Sequence, residues 1–193
     1  MEKSISLELK RQSFHITAGA VSVLLIEKGV VDWKFFLLLL LLGAFISVLS
    51  IKVRLPVIAW FLKNFERKRA KFPGQGALFL AAGILMALLL FEKDIALASI
   101  TILAVGDSVS HVSGRLFGRV KHPLNKYKLI EGTLIGFVAA AIGASFFVAW
   151  PQAMAASAAA MVVEGFELKH RRIDDNLLIP LVAGLIISVM RLY

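Results

Sequence analysis

Residues Phe35 to Leu42 read FFLLLLLL, eight apolar positions without a break. The apolar stretch around them runs on to Ile51, near the length that a helix needs to cross a bilayer. No soluble strand or surface helix is built this way, so this segment sets the class of the fold. The rest of the chain agrees with it. Of 193 residues, 59% are hydrophobic, and the mean hydropathy is +0.81. An ordinary soluble domain is nearer half apolar. Charged residues make up only 18%, yet the net charge is +9, so the charge is concentrated in few places.

Working outward, seven apolar stretches stand out, at roughly 13–26, 35–51, 76–91, 95–112, 133–149, 151–165 and 177–192. In all-helical form the chain has room for about nine crossings of 30 Å, and seven with loops is realistic. The expected fold is an all-α integral membrane protein with about seven transmembrane helices. The Ala-rich stretch Met154 to Met161 is the weakest, and suits a tightly packed inner helix. Trp150-Pro151 marks a turn between two helices, since Pro fits a first turn and breaks an interior. There is no cysteine, which excludes a disulfide framework, a thiolate metal site and a thiol nucleophile. No removable leader is expected.

Seven spans place the N-terminus and the segments 52–75, 113–132 and 166–176 on one side. That side holds 18 of the 22 Lys and Arg residues, leaving Lys28, Lys34, Lys93 and Arg191 on the other. The asymmetry assigns the first side to the cytoplasm. The expected location is therefore the cell membrane, multi-pass, with the polar loops facing the cytoplasm. Residues 52–75 form a basic amphipathic segment in which Val53, Trp60, Phe61 and Phe65 alternate with Lys and Arg. Topology alone accounts for most of it, and the pattern also suits a helix lying on anionic headgroups. With no internal repeat and no linker, residues 1–193 read as a single membrane domain. No nucleic-acid partner is expected.

The polar chemistry collects in two cytoplasmic loops, 106–133 and 166–176. On a helix, Gly106, Ser110, Gly114 and Gly118 recur every four residues as a stripe of small side chains, suited to close approach of a ligand, a second copy or simply another helix. Asp107, His111, Arg115 and Arg119 recur beside it with the same spacing. Asp107 lies inside an apolar span, where a charge is costly and marks a functional site by default; an ion pair with Arg115 is the structural alternative. Carboxylates suit Mg²⁺, which takes one or two of them beside substrate phosphates. Lys, Arg and Gly suit polyphosphate. The loop supplies both. A second acidic group is Asp174-Asp175-Asn176, of which a helix cap needs only one residue. Arg11 and His15 share a face at the start of the first span. Glu164 and Glu167 close the sixth, as supporting or topology residues. All these groups fall at cytoplasmic ends of spans, which suits a reaction between a water-soluble charged substrate and a lipid. A transporter would place polar groups at the midplane and show repeat symmetry.

These residues resemble a known family. Gly106-Asp107, Ser110, Gly114-Arg115, Phe117-Gly118, then Asn125, Lys126, Lys128 and Glu131-Gly132-Thr133, are similar to the signature of the CTP-dependent lipid-alcohol kinases. That group holds dolichol or polyprenol kinase, phytol kinase and CTP-dependent diacylglycerol kinase, and is distantly related to phosphatidate cytidylyltransferase. Arg11 to His15, Gly76 to Phe79, and Asp174-Asp175-Asn176 with Pro180 also resemble family elements, so the match runs over most of the chain. Gln12, Ser110 and Leu129 depart from the usual Lys, Ala and Ser or Thr. The small size resembles prokaryotic, especially archaeal, members.

The resemblance implies transfer of the γ-phosphoryl group of CTP to the hydroxyl of a membrane isoprenoid alcohol, with Mg²⁺. It implies Asp107 as metal ligand, and Asp174 and Asp175 as further metal ligand and proton acceptor. Arg115, Lys121, Lys126 and Lys128 would hold phosphates, and Glu131 would order a lysine or a second metal. Gly106, Gly114, Gly118, Asn125, Gly132 and Asn176 would belong to the nucleotide site, with Arg11, His15 and His111 in support. Rival readings are a diacylglycerol kinase, a CTP:phosphatidate-type cytidylyltransferase and, in another class, a small membrane transporter. A homodimer is compatible with the small stripe.

Overall fold

The computed structural model describes residues 2–66, 70–123, 125–165 and 174–192, with the backbone alone for residues 2–6, 126 and 127. Among the described residues it is all-helical apart from one small hairpin. Helices α1 (Glu2–Glu27), α2 (Trp33–Lys52), α3 (Pro56–Phe65) and α4 (Gln75–Leu90) form the first half. Next, α5 (Lys93–Thr101), a π-helical turn (Ile102–Asp107) and α6 (Ser108–Phe117) run on as one helix. Strands β1 (Lys121–His122) and β2 (Asn125–Leu129) follow, then α7 (Ile130–Ala144), α8 (Trp150–Gly165) and α9 (Asp175–Leu192). Each of the seven apolar stretches lies largely within a helical unit.

Three helices are long and apolar enough to cross a membrane: Trp33–Lys52, Lys93–Phe117 and Asp175–Leu192. Gln75–Leu90 and Ile130–Ala144 are apolar but shorter than the roughly 20 residues of a full crossing. These helices make the chain a membrane protein.

The long α5–α6 helix is the hub. Its residues Ile95 to Ile100 and Ile102 to Ala104 are buried among α1, α4, α7, α8 and α9. On α8, Ala153, Ala156 and Ala160 are fully buried, which is the inner-helix solution to its weak hydrophobicity. By contrast α2 packs chiefly on α4 and leaves Leu38, Leu41, Leu42 and Phe45 exposed, as a face bordered by lipid would be.

Local chemistry sets the helix ends. Asp32 caps α2 by accepting from Lys34 N at 2.9 Å, and Gly29 makes the preceding turn with φ +69°. Pro56 opens α3, and Trp150-Pro151 opens α8. At the end remote from the polar loops, Arg191 pairs with Asp94 and with Glu92 Oε2 at 3.0 Å, tying α9 to the start of α5.

To the expected all-α fold the structure adds one small hairpin: β1 and β2 pair antiparallel, Lys121 with Leu129 and His122 with Asn125. Within 106–133 the first part is helical, ending at Phe117, and the last residues begin α7. The basic segment 52–75 contains a helix, α3, of ten residues. Most of the second loop, including Glu167, lies outside the described residues.

Candidate active site

Asp107 is the last residue of the π-helical turn, at the point where the central helix leaves the apolar core. Such turns concentrate at functional sites, because the inserted residue re-aims the side chains around it. Its side chain is buried. His111 Nε2, one turn on, lies 3.3 Å from Asp107 Oδ1. His15 and Lys128 add positive potential around it.

Glu164 comes to the same place from α8. It is 1% exposed. Its Oε1 accepts from Ser110 Oγ at 3.2 Å and pairs with Lys128 Nζ, which β2 extends into the site. The ligand atoms of Asp107, His111 and Glu164 all lie within 4.8 Å of one another. Two buried carboxylates and an imidazole at that spacing suit a divalent cation. The metal set expected from sequence was Asp107, Asp174 and Asp175. Among the described residues, the cluster at Asp107 is built with Glu164 and His111, while Asp174 lines the adjoining cavity.

Asp174 and Asn176 lie across a cavity of about 280 Å³ that Asp107 also lines. Arg11 and His15 of α1 complete its polar side. Phe14, Phe61 and Phe65 form its apolar side, with Phe14 and Phe61 centroids 5.1 Å apart and Phe61 stacked on Phe65 at 4.8 Å. The cavity lining thus combines acidic, cationic and aromatic side chains. Asp107 faces both it and the Glu164 cluster.

Asp174 also caps α9: its Oδ1 accepts from Asn176 N at 3.1 Å. Asp175 is the first helical residue and is buried.

Other expected site residues have structural partners. Gly106 sits against Met161 and Ala140, and Gly114 against Gly132. A Cβ on Gly132 would stand 2.5 Å from Ser110 O, so the small stripe is the contact of α6 with α7. Gly118 is folded against Leu129. Arg115 reaches Glu8 Oε2 at 3.4 Å, and Gln12 donates to Glu8 Oε1 at 2.9 Å. Burial opposes ionisation of Glu8, but Arg11, the Gln12 hydrogen bond, His111 and Arg115 outweigh it and hold its carboxyl below the usual range. Glu131 accepts from Arg119 N at 3.0 Å and Val120 N at 3.1 Å, which ties the turn before the hairpin to the start of α7. It therefore orders backbone at this turn. Lys121 is exposed on β1, and Asn125 is buried on β2. The side chain of Lys126 lies outside the described residues.

An uncharacterized protein of Methanocaldococcus jannaschii is 30% identical over 187 residues, covering 94% of this chain and 93% of its own. The chain belongs to that protein's family. The family reaches toward named enzymes. CTP-dependent diacylglycerol kinase 1 of Eremothecium gossypii is 29% identical over 147 residues, 72% of this chain and 46% of the kinase. The probable chloroplastic phytol kinase of Triticum aestivum is 31% identical over 129 residues, 58% of this chain and 43% of its own. The chain thus spans under half the length of either kinase. No family model matches it, and no solved structure does.

Proposed function

We propose that the protein is a CTP-dependent lipid kinase that phosphorylates the hydroxyl of a membrane isoprenoid alcohol. One observation carries this reading. Asp107 is shared between a buried carboxylate–lysine cluster and a cavity with cationic and aromatic walls. The side-chain chemistry of that lining suits phosphates, a metal and the hydroxyl end of an apolar alcohol. Similarity to two kinases, one named for diacylglycerol and one for phytol, supports the same class.

Phosphoryl transfer asks mainly for positioning and for charge neutralisation. Arg11 lines the cavity and Lys128 reaches Glu164 beside Asp107, and in this reading they hold the phosphate oxygens. Asp107, with Glu164 and His111, is the set that would hold Mg²⁺; when bound, the ion neutralises charge on the phosphates. Asp174, across the cavity, accepts the hydroxyl proton as the alcohol oxygen bonds to the γ-phosphorus. The bond from that phosphorus to the β–γ bridging oxygen breaks, and CDP leaves. Phe14, Phe61 and Phe65 keep water from competing with the alcohol.

The test is product identification by mass spectrometry after incubating purified protein with CTP, Mg²⁺ and a panel of polyprenol, geranylgeraniol, phytol and diacylglycerol. The expected product is a lipid monophosphate, with CDP. A lipid carrying a cytidylyl group would replace the kinase with a cytidylyltransferase.

A further inference from the structure

A second cavity, of about 300 Å³, lies among α1, α2, α3 and α4. Its lining is almost entirely hydrocarbon, with Phe36, Leu39 and Ile46 from α2 and Ile84 from α4. Its origin is visible in the packing. Helix α2 rests on α4 and α3 rests on α1, while α1 and α2 scarcely touch. The cavity is the seam left between them. Small residues at Ala18, Gly43 and Ala81 keep it open.

This seam continues the candidate active site. Both cavities are lined by Phe14, Phe61, Leu62, Gly74, Ala77 and Leu80. From that shared wall the seam follows α1 from Phe14 to Ser22 and α4 from Gly74 to Ile84, which at helical rise is a depth of about 12–15 Å. It therefore leads from the charged end of the helices toward their apolar middle. Its outer neighbour is the exposed face of α2.

We propose that this seam holds the head-proximal part of one apolar chain of the substrate, with the hydroxyl delivered to the cavity lined by Asp107 and Asp174, and that it selects single-chain alcohols over two-chain diacylglycerol. The inference rests on the kinase reading and deepens it. An apolar cavity has too few polar partners to hold ordered water. Its continuity with the polar cavity fits a molecule that is hydrocarbon at one end and hydroxyl at the other. Ligand pockets run from roughly 300 to 1,000 Å³, and this one lies at the small end. A seam of this size is assigned a single chain segment.

The residues that set the width are testable. A Cβ on Gly43 would come 2.8 Å from Leu78 Cδ2, a flexible side-chain end that can yield. Gly43→Leu should fill the seam. We expect the KM for a long-chain polyprenol to rise at least tenfold while the KM for CTP stays within twofold. Leu39→Ala removes part of the outer wall, and should raise the rate with diacylglycerol at least tenfold relative to phytol, a gain that a misfolded protein cannot give. Unchanged lipid KM in folded Gly43→Leu, or no gain in Leu39→Ala, overturns the proposal. A third measurement does not depend on turnover. A photoactivatable long-chain alcohol should crosslink to residues of the seam in the wild type, and be lost in Gly43→Leu. Crosslinks elsewhere, or a phospholipid that the alcohol does not displace, overturn it. Absence of any CTP-dependent phosphorylation, with the crosslinks in place, removes the kinase reading and leaves the chain-binding seam.

Discussion

The backbone carbonyl of Asn176 is pressed against Gly83, so closely that a Cβ on Gly83 would stand 2.0 Å from the carbonyl oxygen. The cause lies one turn further along α9. Pro180 has no N–H, so the carbonyl four residues earlier has no partner in its own helix. Helix α4 meets it with a residue that has no side chain. That contact fixes the start of α9, and with it Asp174 and Asn176 at the cavity.

Gly83→Ala is therefore expected to destabilise the protein by about 1–3 kcal/mol, the usual cost of overpacking. It should also lower activity, because the strain falls on the turn that carries Asp174. Thermal unfolding in detergent checks the first part. Gly76→Ala, with nothing near its added Cβ, should not lower the melting temperature.

Glu164 and Lys128 form a buried pair with exposures of 1% and 11%. Breaking it with Glu164→Gln leaves the ammonium without its counter-charge, at a cost of about 3–5 kcal/mol. The double variant Glu164→Gln with Lys128→Met should recover much of that stability and none of the activity. If the double variant is active, the pair is structural only.

Asp107→Asn keeps the shape of the side chain and removes its charge. We expect normal folding, and turnover reduced by roughly 10²–10³-fold, as for loss of a key electrostatic group. Circular dichroism and steady-state rates read the two separately, and full activity in this variant would remove Asp107 from the chemistry.

Glu131 is held below its ordinary value of 4.5 by its own backbone N–H, and by those of Arg119 and Val120, against slight desolvation. A carboxyl lowered in the folded chain contributes fully above that ordinary value, and its contribution is lost as pH falls through the lowered one. Protection of the Arg119 and Val120 amides, corrected for intrinsic exchange, should thus fall in acid. In Glu131→Gln that pH dependence should vanish, and if it persists another group holds the turn.

The chain has no cysteine, so single cysteines report sidedness cleanly. Replacements at Lys63 and Lys121 should react with an impermeant thiol reagent from the cytoplasmic face. Replacements at Lys34 and Lys93 should react from the other. Labelling of both pairs from one face contradicts the orientation read from Lys and Arg.

Some of this architecture was legible in the sequence because it depends on local pattern. Runs such as Phe35 to Leu42 have no other stable use, and Asp107 stood out as a charge in an apolar helix. Asp174 was legible as a cap, since capping is decided within three residues. The hairpin was not, because Asn125 to Leu129 carries polar side chains and its pairing depends on the turn geometry. Glu164 was underrated for another reason. Its partners Ser110 and Lys128 lie 54 and 36 positions away, and only the packing of α8 against the central helix brings them together. The glycine stripe displayed its spacing but not which neighbour it faces, and that neighbour is α7.

The most direct test of the central claim uses CTP labelled at the γ or, separately, the α phosphorus, with Mg²⁺ and the isoprenoid alcohols. The account predicts γ label in the lipid product and none from the α position. Label from the α position in the lipid, or from neither in folded protein, would contradict it.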